Sequence, residues 1–251
     1  MKTILIGYGE VGNAAHLAWG EFHKMFIHDP AKNFYCYEGD WHVDVMLVSI
    51  PYSKTFVQDV VHYKEIFFPK VTIVLSTVPI GTCSQIVAVH SPIEARHDNR
   101  DVMYQYLKEN IRWIGGEDET ARAFFEQCGI DCKVFPKPEI TEFLKLRSLA
   151  LYGVNIEMAR YSAFSASRLG FDYEICKEYD REYNRLNVAL GLPDFQRYVL
   201  DSPGFLEPIG GHCVLQNMVI LEKQLSHPFL NTILGINDFL AGAKKRRETL
   251  K

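Results

Sequence analysis

Three groups of residues could do chemistry. The first is Gly7-Tyr8-Gly9-Glu10-Val11-Gly12, a G-x-G-x-x-G hexapeptide that follows the apolar run Lys2–Ile6 and opens a helix-like stretch. Glycines at these positions permit a tight turn, let backbone N–H groups approach a pyrophosphate, and let the helix pack closely on the sheet. The helix N-terminus then attracts the phosphate charge. Asp29 ends the next apolar run, and Lys32 follows it. A carboxylate there accepts hydrogen bonds from adenosine ribose hydroxyls and repels a 2′-phosphate, which favours NAD over NADP. The second group is Ser49-Ile50-Pro51, after DVMLV, and Ser76-Thr77 at the head of STVPIGT, after VTIVL. Ligands of open α/β sheets bind beyond the carboxyl ends of the strands, so both segments would line the nicotinamide side, or else are ordinary connecting loops.

The third group is Lys145 and Cys213. Lys145 lies on a long apolar helical stretch, three residues after Glu142. It is either half of a surface i, i+3 ion pair with Glu142 or a buried ammonium serving as electrostatic clamp or acid/base group. Cys213 follows Gly210, Gly211 and His212 and opens the helical run VLQNMVILEKQL. The helix N-terminus would stabilise its thiolate, and the glycines could admit a substrate; the alternative is an inert packing cysteine.

The elements that must position these groups change character along the chain. Lys2–Ile6, Met25–His28, Asp44–Ile50, Val71–Leu75 and Ile86–Val89 read as strands, with a helix over Val11–Phe22 and further helical stretches between the later runs. This alternation argues for parallel βαβ units. From Pro138 onward the pattern is helical: Glu139–Leu169, Asp172–Leu190, Val214–Leu225 and Phe229–Ala241. The first of these is apolar nearly all round, as expected of a helix buried between domains or subunits. The fold class is therefore α/β, a Rossmann-type doubly wound parallel sheet over residues 1–138. An all-helical domain follows over 139–251, joined through a long interdomain helix. Its many tyrosines fit a dimer interface.

The 251 residues carry 27 Lys and Arg against 31 Asp and Glu, a net charge of −4. That balance gives no electrostatic footprint for nucleic acid or an anionic membrane. No apolar run approaches bilayer-spanning length, and the N-terminus does not read as a signal peptide. The cysteines at 36, 83, 128, 132, 176 and 213 are scattered, and neither they nor the histidines show metal-ligand spacing. No metal is expected, and a reduced cytoplasmic setting is.

Five pieces in order, GYGEVG, HDPAK, STVPIGT, EFLKLRSLAL and GGHC, resemble the UDP-glucose/GDP-mannose (nucleotide-sugar) 6-dehydrogenase family over roughly residues 1–225. The resemblance implies NAD as cofactor and a small-molecule substrate, a nucleotide sugar in that family. It also implies a homodimer built on the helical domain. The family's last domain, which grips the nucleotide, would be absent from a chain stopping at Lys251, or supplied by a separate chain. Carried over, the nucleophilic cysteine is Cys213, the oxyanion-stabilising lysine Lys145, and the threonine that positions water or cofactor Thr77. Glu94, Glu142, Gly210, Gly211 and His212 are the substrate-side candidates. Leu149 stands where the family has asparagine, and Gln216-Asn217 where it has Lys-Asp. These departures leave two alternatives open beside hydride transfer with a cysteine thiohemiacetal. One resembles the β-hydroxyacid dehydrogenases and uses Lys145 without cysteine. The other is a catalytically silent NAD-binding dimer.

Overall fold

Short apolar runs rich in β-branched residues become the centre of the first unit. The computed structural model describes residues 1–36, 42–95, 100–201, 207–210 and 213–249, and the chain divides into Met1–Leu146 and Arg147–Lys251. In the first unit the strands are β1 (Lys2–Ile6), β2 (Lys24–His28), β3 (Val45–Val48), β4 (Val71–Val74), β5 (Val89–His90), β6 (Arg112–Gly115) and β7 (Cys132–Phe135). They form one sheet in the order β2-β1-β3-β4-β5-β6-β7, parallel throughout except where β5 meets β6. The helices are α1 (Glu10–Trp19), α2 (Phe56–Phe67), α3 (Thr82–Gln85), α4 (Arg100–Glu109) and α5 (Glu119–Glu126).

Every residue of β3 and β4 is buried, because helices cover both faces of the sheet. The alternation of side chains along a strand sorts the core into two layers. Leu5, Leu47 and Ile73 pack with Trp19, Phe124 and Phe125 on one face. Ile4, Ile6, Met46, Val48 and Val74 pack with Phe56 and Phe67 on the other. The register aligns the strand ends. His28, Ile6, Val48, Val74 and His90 form one row across the sheet. The connections that follow this row therefore emerge along a single rim.

Three sequence expectations are corrected. The strand expected at Ile86–Val89 is Val89–His90, because Ile86 caps α3 and Val87 turns at φ 50°. Strands β6 and β7 were not anticipated, since one begins with arginine and the other is a half-exposed edge. The sheet is accordingly mixed rather than wholly parallel.

A 32-residue helix, α6 (Pro138–Leu169), begins in the first unit and continues into the second. The division between the two compact units follows Leu146, within the helix, whose first turns bond to the sheet's rim. The second unit adds α7 (Tyr173–Ala189), α8 (Cys213–Leu225) and α9 (Pro228–Thr249). At Gly153 a Cβ would collide with Met218 and approach Val214 at 3.2 Å, so α6 and α8 pack closely there. Leu151, Met158, Tyr161, Phe164 and Leu169 of α6 are exposed, although the sequence reads this helix as buried. No helix among the described residues is long and apolar enough to cross a membrane.

Candidate functional site

The rim begins at the glycine loop. Gly7 has φ +89°, and its N–H donates to the His28 carbonyl at 2.9 Å. A Cβ on Gly7 would lie 2.9 Å from Ile50 Cγ2; one on Gly12 would overlap the Gly7 carbonyl oxygen and lie 2.7 Å from Ser49 Oγ. Gly9 differs: nothing stands within 4 Å of its Cβ position. It is the N-cap of α1, with Glu10 exposed and Val11 packed on the core. This cradle fits a pyrophosphate.

Asp29 and Lys32 hold the peptide between Gly7 and Gly9. Asp29 Oδ2 accepts from Tyr8 N–H at 2.7 Å, and Lys32 Nζ donates to the Tyr8 carbonyl at 2.7 Å. Asp29 is half-buried, and its Oδ1 carries no hydrogen bond among the described residues. The Tyr8 hydroxyl pairs with His16 Nδ1 at 3.1 Å, and its ring meets Phe34 edge-on.

The serines of the neighbouring connections tie the rim together. Ser49 Oγ donates to the Gly7 carbonyl at 2.8 Å, and Ser76 Oγ to the Ile50 carbonyl at 2.6 Å. Pro51 is exposed and Thr77 half-buried just beyond β4.

The first turns of α6 bond to the connections after β4 and β5. Glu142 is fully buried: Oε2 accepts from Gly81 N–H at 2.6 Å and Oε1 from Cys83 N–H at 2.8 Å. Burial raises its pKa, opposed by these two amides. Glu142 thus makes neither the expected ion pair with Lys145 nor an approach to solvent. Lys145, 7% exposed, donates instead to the Ile93 carbonyl at 2.7 Å and lies 3.4 Å from Glu94 Oε1. Two sequence-expected residues, Lys145 and Glu94, are therefore brought together by tertiary structure.

Three supporting residues had not been singled out for the site. His90 is wholly buried. The Ser76 carbonyl, 3.2 Å from Nε2, can only accept, so the neutral ring carries its proton there. Its Nδ1 lies 2.9 Å from Thr141 Oγ1. Burial pushes the His90 pKa down to about 3. Arg112 is also buried and caged by Trp19 and Phe125. It donates to the Ser91 carbonyl at 2.8 Å and the Pro92 carbonyl at 3.0 Å, and burial lowers its pKa to about 10. A histidine ending one strand and an arginine starting another were the available signals, and neither declares a buried partner.

The remaining sequence candidates belong to the second unit. Gly210 is exposed with open space at its Cβ position. Gly211 and His212 lie outside the described residues. Cys213 is exposed at the start of α8, where its carbonyl accepts from Asn217 Nδ2 at 2.6 Å. Leu149 is half-buried and Gln216 exposed.

No protein-family model matches the chain, and no curated protein is significantly similar to it. Solved structures are. A UDP-glucose dehydrogenase from the archaeon Pyrobaculum islandicum is 16% identical, with 95% of this chain and 68% of that one aligned at a TM-score of 0.66. The 3-hydroxyisobutyrate dehydrogenase of Mycobacterium tuberculosis is 13% identical over 96% of this chain and 94% of that one, at 0.68. GDP-mannose dehydrogenase from Pseudomonas aeruginosa is 16% identical over 96% and 69%, at 0.60. The fold is thus the Rossmann-type sheet with a helical C-terminal region that these dehydrogenases share.

Proposed function

We propose that this protein is an NAD-dependent oxidoreductase that oxidises a CH–OH group. One observation carries the reading: a nearly buried ammonium, Lys145, is held beyond the end of β5, on the same rim as the open glycine cradle beyond β1. When bound, NAD accepts a hydride from the substrate carbon. The chain's own residues do the rest. Amides at the start of α1 hold the pyrophosphate, and Asp29 accepts from the ribose hydroxyls and disfavours a 2′-phosphate. Thr77, beyond β4, orients the nicotinamide end. Lys145 stabilises the alkoxide as it forms, and half-exposed Glu94 relays the released proton toward water. The balance is one hydride to NAD and one proton to solvent per carbonyl formed.

The structural neighbours support two substrate classes, nucleotide sugars and small hydroxy acids. Cys213 separates them: trapping the aldehyde as a thiohemiacetal belongs to the first, and turnover without the thiol to the second. The exposed apolar side chains of α6 support a homodimer, which light scattering would register as twice the 28.8 kDa chain mass. The test is NADH formation across UDP-sugars, GDP-mannose and hydroxy acids. Lys145→Met should cut kcat by about 10²–10⁴-fold while NADH still binds. Cys213→Ser should abolish turnover on a nucleotide sugar and leave hydroxy-acid turnover intact. NADH binding with no turnover on any of these substrates would refute the enzyme reading.

A further inference from the structure

The first turns of α6 hold the connection after β4 from both ends. At its start, the Ser76 carbonyl meets His90 Nε2 at 3.2 Å, and His90 Nδ1 meets Thr141 Oγ1 of α6 at 2.9 Å. At its far end, Gly81 and Cys83 N–H groups both donate to Glu142, and Ser84 Oγ donates to Glu139 Oε1 at 2.6 Å. Glu142 is 0% exposed, and no Lys or Arg lies within ion-pair distance of it among the described residues. A buried carboxylate without a counter-cation is costly unless it is hydrogen-bonded, and here each oxygen accepts from a backbone amide.

The geometry gives this arrangement a consequence. Residues three apart on a helix share a face, so one rigid turn of α6 carries both Glu142 and Lys145. Through Glu142 that turn fixes the backbone of Gly81–Cys83; through Lys145 it reaches the Ile93 carbonyl and Glu94. The β4 connection lies three strands along the row from the end of β2, which Asp29 follows, and so on the side where the dinucleotide reading puts the nicotinamide. We infer that Glu142 is a positioning residue that sets the loop beneath the nicotinamide end relative to the Lys145 ammonium, rather than a substrate ligand. This inference rests on the dinucleotide reading above.

Glu142→Gln is the informative change. It keeps the volume but replaces one accepting oxygen with an amide NH2 donor that faces a backbone N–H donor, so one end of the loop is released. ADP-ribose occupies the cradle without a nicotinamide, whereas NADH occupies both. The expected result is ADP-ribose affinity as in the unaltered chain and NADH affinity weakened about tenfold. A purely structural loss would weaken both ligands together. Equal loss of both, or loss of neither, overturns the role given to Glu142 and leaves the cofactor reading standing. An unaltered chain that binds neither ligand overturns the cofactor reading, and this inference with it. If Glu142→Gln does not fold, Thr141→Val releases the other end of the same loop. It should show the same split between the two ligands, and its absence overturns the inference.

Discussion

Adding one methyl at Gly9 separates the cradle from its architecture. Gly9 sits at φ −69°, ψ −160°, a conformation open to any L-residue, and nothing lies within 4 Å of its Cβ position. Gly9→Ala therefore meets no clash. It loses a little as an N-cap and gains a little by stiffening the unfolded chain, each about 0.5–1 kcal/mol, so the two nearly cancel. Thermal midpoints should agree within about 4 °C. The methyl instead fills open space at the start of α1, where the proposed pyrophosphate would lie. Displacing one or two charge-assisted hydrogen bonds to a pyrophosphate costs about 2–4 kcal/mol, or roughly 30–1000-fold in Kd. Gly12→Ala is the contrast, since its Cβ overlaps the Gly7 carbonyl oxygen and crowds Ser49 Oγ at 2.7 Å. Overpacking of this kind costs about 1–3 kcal/mol of stability. Thermal melts and NADH fluorescence titrations of the two variants decide the matter. Unchanged NADH affinity in Gly9→Ala refutes a pyrophosphate at this loop. A melt lowered as far as that of Gly12→Ala refutes the open space.

Two further outcomes can be stated. Asp29→Ala removes the proposed ribose acceptor together with the partner of Tyr8 N–H. Calorimetry should show NAD weakened by about 1–3 kcal/mol, with discrimination against NADP reduced. His90 titrates at about 3 when folded against 6.5 for the unperturbed side chain. Between those values the unfolded chain binds the extra proton, so stability present near neutrality is lost as pH falls, at up to about 1.4 kcal/mol per pH unit. His90→Gln should be less stable near neutrality and lose less on acidification in pH-dependent denaturant melts. Buried His23 and His28, also lowered by desolvation, sustain the remaining slope.

What the sequence could disclose depended on how local each requirement is. The glycine loop was legible because its demands are of the backbone: a positive φ at Gly7 and no room beside Gly12. Strands β3 and β4 were legible because burial on both faces requires unbroken apolar runs. Lys145 was legible as an ammonium on an apolar helix, and the structure buries it, but its partners Ile93 and Glu94 arrive from the connection after β5. Glu142 shows the limit most sharply. Its i, i+3 spacing from Lys145 suggested a local ion pair, yet its carboxylate is claimed by amides at 81 and 83, some sixty residues earlier. Arg112 likewise begins a strand, where an arginine ordinarily signals exposure, and is instead enclosed by Trp19 and Phe125. Apolar side chains need only a face, and periodicity reports faces. A buried polar side chain needs a particular atom opposite it. Only the parallel register that aligns Ile6, Val48, Val74 and His90 determines which backbone groups α6 will find there.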